Sequence, residues 1–83
     1  MRKLIIAATM VLALPAFAAE VTKDANLGTS MEEVKASLVA MGYEVRKMKM
    51  EDGEIEAYAV MDSKISEVFV DPANGLVTKI VDK

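Results

Sequence analysis

The chain has 83 residues, 10 of them basic and 13 acidic, and contains neither cysteine nor histidine. That composition removes disulfides, the thiol nucleophile, the commonest general base and the usual zinc ligands. A net charge of −3 argues against nucleic acid, whose phosphates need a basic surface, and against electrostatic docking on anionic lipid.

Arg2 and Lys3 open the chain, Leu4 to Leu14 is an uncharged apolar run, and Pro15-Ala16-Phe17-Ala18-Ala19 closes it. A basic start, a short apolar stretch and an A-x-A site are the three parts of a secretory signal peptide. The small side chains of Ala16 and Ala18 place the cut after Ala18. The run is shorter than the roughly 20 apolar residues of a spanning helix, and with no cysteine there is nothing to lipidate. The expected organisation is a cleavable signal over 1–18, a lead-in over 19–28 and one domain over 29–83, in a periplasmic or secreted protein. Without the signal, 8 basic residues face 13 acidic ones, for a net charge of −5. The remaining 65 residues allow one domain with a thin core, and no disulfide can reinforce it.

The lead-in shows no sustained period beyond a short extended piece around Val21. Thr29 and Ser30 follow as candidate N-caps, and Thr29-x-x-Glu32 and Ser30-x-x-Glu33 both have capping-box spacing. Met31, Val34, Leu38 and Met41 recur three, four and three apart, one face of a helix over about 30–41. Gly42 then stops it at the position where a left-handed backbone is needed.

Beyond Gly42 the period shortens towards two. Residues 43–50 (YEVRKMKM) form a candidate strand whose alternation slips between Val45 and Met48, as a β-bulge would produce. Asp52-Gly53 is a hairpin turn pair. Residues 54–61 (EIEAYAVM) form the next strand; Ile55, Ala57, Ala59 and Met61 are assigned to the helix side and Glu56, Tyr58 and Val60 to the other, where Glu56 would meet water. Asp62-Ser63 turns the chain into a third strand over 65–70, and Asp71-Pro72-Ala73-Asn74-Gly75 turns it into a fourth over 76–81. The expected fold is α+β: one N-terminal amphipathic helix packed on an antiparallel β-meander of three to four strands.

Gly28-Thr29-Ser30-Met31-Glu32-Glu33-Val34, Gly42-Tyr43-Glu44-Val45, Glu51-Asp52-Gly53 and Val70-Asp71-Pro72-Ala73-Asn74-Gly75 stand in an order that resembles a PepSY domain in its small exported form. The resemblance runs from about Leu27 to Val81, and the V-D-P-x-x-G hairpin is its most specific part. Asn74-Gly75 stands where the family usually has Thr-Gly. PepSY domains occur in propeptides of thermolysin-type metallopeptidases and in cell-envelope proteins. The resemblance therefore implies a regulatory, protein-binding role towards an envelope peptidase, a separate protein because this chain carries no peptidase domain. It carries over no catalytic motif.

Four kinds of chemistry remain to weigh on the residues themselves. The carboxylates Glu51, Asp52, Glu54 and Glu56 have the types needed for acid–base work but read better as a solvated hairpin. Met48 and Met50 place two thioethers on one strand face, a soft pair of the kind that selects Cu(I), though no histidine or cysteine completes a site and methionines also fill irregular cores. Asp71 and Asn74 lack the ligand pattern of a calcium loop. No cofactor is therefore expected. Tyr58 and Phe69, with Glu56 and Glu67 beside them, would lie on the sheet face away from the helix. Aromatics among charges there fit a protein-binding face, ordinary cross-strand pairing or a homodimer.

Overall fold

The computed structural model describes residues 19–83; the expected signal segment, 1–18, lies outside the described residues. One helix, α1 (Met31–Ala40), packs on a four-stranded antiparallel sheet of β1 (Glu44–Glu51), β2 (Glu54–Met61), β3 (Lys64–Val70) and β4 (Val77–Asp82). The strands lie in the order β1-β2-β3-β4, each beside its sequence neighbour.

Of the two capping boxes offered by the sequence, the second forms with Ser30 as the N-cap, its return bond falling one residue early, on Thr29. The Ser30 side chain accepts from the Glu33 N–H at 3.1 Å, and Glu33 Oε1 accepts from the Thr29 N–H at 2.8 Å. The helix ends in a complete Schellman motif: Tyr43 N–H donates to Leu38 C=O and Gly42 N–H to Val39 C=O, both at 3.0 Å. Gly42 stands at φ 104°, where a β-carbon would clash with the backbone. Val34 and Leu38 are fully buried, whereas Met31, at the start of the same stripe, is 41% exposed. The buried seam is therefore narrower than the sequence spacing implied.

Asp52-Gly53 and Asp62-Ser63 join the first three strands. All four residues have positive φ, as the type I′ hairpin turn requires, and that turn matches the twist of the strands it joins. The slip in β1 is real: register shifts between Val45 and Lys47, with Arg46 as the extra residue. In the closing hairpin, Asp71 accepts from the Ala73 N–H through its side chain at 2.8 Å and from the Gly75 N–H through its carbonyl at 2.7 Å.

The face assignment of β2 also holds. Ile55, Ala57 and Ala59 are buried in one cluster with Val34, Leu38, Val68, Val70 and Val77. Burying each of the larger aliphatic side chains contributes about 1.5–3 kcal/mol.

The helix is not N-terminal. Residues 19–28 precede it and belong to the fold. Val21 and Leu27 enter the core, Asn26 bridges Leu76, and backbone bonds link Asp24, Ala25 and Leu27 to Val77 and Gly75. This segment therefore covers the start of the β4 edge. Its lack of period follows from its geometry: a short extended piece held by three backbone bonds needs no repeating face. Because α1 lies over β1 and β2, the lead-in supplies apolar cover on the side the helix does not reach.

Candidate functional site

The sheet face opposite the helix gathers every side chain that the sequence marked for protein binding. Two-residue turns fix the register, so Tyr58 lies directly opposite Glu67 and Glu56 opposite Phe69. On the other side of β2, Lys47 pairs with Tyr58 and Lys49 with Glu56. On the far side of β3, Lys79 pairs with Phe69. Two aromatic rings thus alternate diagonally with two carboxylates, flanked by lysines from both outer strands.

The lysines lean inward. Lys47 Nζ sits 5.7 Å from the Tyr58 ring centre and Lys79 Nζ 4.6 Å from that of Phe69, both within cation–π range. Lys49 Nζ is 3.1 Å from Glu51 Oε1 and 3.7 Å from Glu56 Oε1. Lys83 Nζ is 3.5 Å from Glu67 Oε2, and the Thr78 hydroxyl donates to Glu54 Oε2 at 2.9 Å.

Glu56 departs from expectation. It lies on the predicted face, but only 3% of it is exposed, and among the described residues its Oε1 has no hydrogen-bond partner. The cause is position: on a central strand, between Lys49 and Phe69, a glutamate is covered from both sides. The four-carboxylate cluster is accordingly not one solvated hairpin, since Glu51 and Asp52 are exposed while Glu56 is buried. Burial pushes the Glu56 carboxyl above the ordinary range, helped by hydrogen bonding with Glu51 and by its charge. Glu51 moves the opposite way, held low by hydrogen bonding from Lys49 and then from Glu56. Glu67 is lowered chiefly by hydrogen bonding from Tyr58, and the same contact raises the Tyr58 hydroxyl.

The methionine pair lies on the helix side. Met48 packs partly against the core and Met50 is 50% exposed, so the two thioethers stand in different surroundings. Among the described residues no group of three or more histidine, cysteine, aspartate or glutamate side chains is placed to hold a metal ion. A cleft of about 350 Å³ also opens between the lead-in and the end of the sheet, lined by Val21, Tyr43, Met61 and Ile80 and rimmed by Glu20, Asp62, Lys64 and Asp82. Among the described residues no helix is long and apolar enough to cross a membrane.

The PepSY_2 family model, described as "Peptidase propeptide and YPEB domain", matches residues 2–80. The chain belongs to the PepSY family. No curated protein and no solved structure gave a match. PepSY domains are propeptide or regulatory parts, generally without catalysis of their own, and are typical of exported proteins. Both ends of the PepSY resemblance seen in the sequence, the capped helix and the V-D-P-x-x-G hairpin, are structural closures here: one starts α1 and the other starts β4.

The lysines over the two rings and the burial of Glu56 were not anticipated, yet a signal for Lys47 and Glu56 exists. Glu51 and Glu54 flank a two-residue turn, as do Met61 and Lys64. Counting outward from each turn puts Lys47 across from Tyr58 and Glu56 between Lys49 and Phe69.

Proposed function

We propose that this PepSY domain is an exported, non-catalytic module that binds a cell-envelope peptidase and modulates its activity through the sheet face bearing Tyr58, Phe69, Glu56 and Glu67. The observation that carries this reading is that face itself as the described residues form it: two aromatic rings capped by lysine side chains, around a buried carboxylate oxygen that lies 3.7 Å from Lys49 but has no hydrogen-bond partner there. Lysine stems move at little cost, so an approaching surface can displace them, stack on the rings and offer a donor to Glu56. Such anchors in a polar surround are the usual make-up of a protein–protein contact. Family membership supports a peptidase as the class of partner, and the signal-like sequence of residues 1–18 supports an exported compartment.

The test uses the purified protein and the envelope fraction of its host. Proteolysis is followed with and without added protein, and captured proteins are identified by mass. A captured peptidase whose activity changes on binding, with both effects lost when Tyr58 and Phe69 are replaced by alanine, supports the reading. Unchanged proteolysis with no peptidase captured overturns it.

A further inference from the structure

We infer that the β1 edge pairs antiparallel with the β1 edge of a second copy, centred on Lys49, to make a continuous eight-stranded sheet. This inference does not rest on the peptidase reading: it is argued from the backbone edge of β1, although the Lys47, Lys49 and Glu51 side chains used to set the register also border the open face.

The two sheet edges are treated differently. At β4 the lead-in bonds both the N–H and the C=O of Val77, whereas among the described residues β1 has a strand neighbour on one side only. An eight-residue edge with free backbone groups is a template for another strand. Edges are commonly guarded by lysines and bulges, but here neither guard blocks the central stretch. The bulge sits at the Val45–Lys47 end and leaves Lys47 to Glu51 regular. Lys47 is drawn over the Tyr58 ring, and Lys49 towards Glu51 and Glu56.

Hydrogen-bond parity narrows the register. Glu51 and Glu54 flank a two-residue turn, so they exchange both backbone bonds, as do Lys49 with Glu56 and Lys47 with Tyr58. Met48 and Met50 therefore direct their N–H and C=O groups away from β2. An added strand must bond to those two residues. Antiparallel self-pairing that joins Met48 of each copy to Met50 of the other satisfies this, with Lys49 meeting Lys49 on the two-fold axis.

Charge and strand length together favour the same register. Arg46 and Lys47 are basic and Glu51 and Asp52 acidic, so the edge is positive at one end and negative at the other. Centring on Lys49 sets Lys47 of each copy opposite Glu51 of the other. Centring on Met48 would instead set Lys47 against Lys49 twice, and like charges directly opposite are unfavourable; centring on Met50 would set Lys49 opposite Glu51 but run the pairing past the end of β1 into the Asp52-Gly53 turn. The central lysine pair is offset by Glu51 and Glu56 in each copy. On the helix side, the half-exposed Met50 gains an apolar partner in Met48 of the second copy.

Sedimentation equilibrium on the purified protein tests the association, and two variants test the register. The unmodified protein is expected to reach dimer mass. Lys47→Glu and Glu51→Lys, each checked for folding by circular dichroism, are each expected to weaken self-association about tenfold or more. Mixing the two restores a dimer, because each reversed charge then meets its opposite. Because the chain has no cysteine, Lys49→Cys gives an independent check. Residues facing each other at a non-hydrogen-bonded site have Cα atoms about 4.5 Å apart, within disulfide reach. That variant is expected to oxidise to a linked dimer faster than Lys79→Cys. A monomer at millimolar concentration overturns the inference. So does a dimer indifferent to both charge reversals, which would join through another surface.

Discussion

The Tyr43 hydroxyl accepts the Val21 N–H at 3.0 Å, joining the residue that closes the helix to the segment that precedes it. Both residues are buried. The bond fastens the lead-in across the side of the sheet that α1 leaves open, next to the cleft. Tyr43→Phe keeps the ring and removes the acceptor, leaving a buried N–H unsatisfied. The expected loss is about 1–3 kcal/mol, read as a lower urea midpoint with an unchanged slope. Faster amide exchange at Val21 than in β2 would show that the lead-in opens first. An unchanged midpoint would mean that water replaces the hydroxyl at no cost.

Glu56 gives the molecule a pH dependence of definite sign. Its folded pKa lies above the ordinary glutamate value of 4.5, so the folded state holds this proton more tightly than the unfolded chain does. Its effect on stability is therefore most favourable below 4.5 and is lost as pH rises through the raised value. Glu51 and Glu67, both lowered, act in the opposite sense: their contribution is present above 4.5 and is lost as pH falls through their lowered values. Glu56→Gln is expected to raise the urea midpoint at pH 7, with the gain disappearing below pH 4.5. A less stable variant at pH 7 would show that the Lys49 contact outweighs the burial of the carboxylate.

Gly75 and Gly53 form a matched pair of left-handed glycines, at φ 80° and 79°. A β-carbon on Gly53 would meet nothing within 4 Å, whereas one on Gly75 would lie 2.8 Å from Asn26 Oδ1 and 3.1 Å from the Gly28 carbonyl. Gly53→Ala should cost only the backbone strain. Gly75→Ala should cost more than about 1 kcal/mol and exceed the Gly53 variant, because the lead-in must also move. Equal losses in parallel thermal melts would refute close packing of the lead-in on the hairpin.

Local chemistry made much of this fold legible in the sequence. Ser30 with Glu33, Gly42, Asp52-Gly53 and Asp71 act through neighbours a few residues away, so their effects are written in the order of residues. The strand faces followed from the two-residue alternation of Ile55, Ala57 and Ala59, and the Val45–Met48 slip marked the bulge. Placing Tyr58, Phe69, Glu56 and Glu67 on one face needed no more than that. What surrounds those residues was decided by tertiary structure. Glu56 is covered because β2 is central and two other strands bring Lys49 and Phe69 beside it. Lys47 and Lys79 reach the rings from opposite edges of the sheet, and Val21 is buried by a tyrosine 22 residues away. Burial and electrostatics sum over neighbours in space, and on a meander those neighbours come from other strands, which come into line only when every turn is counted through to its register.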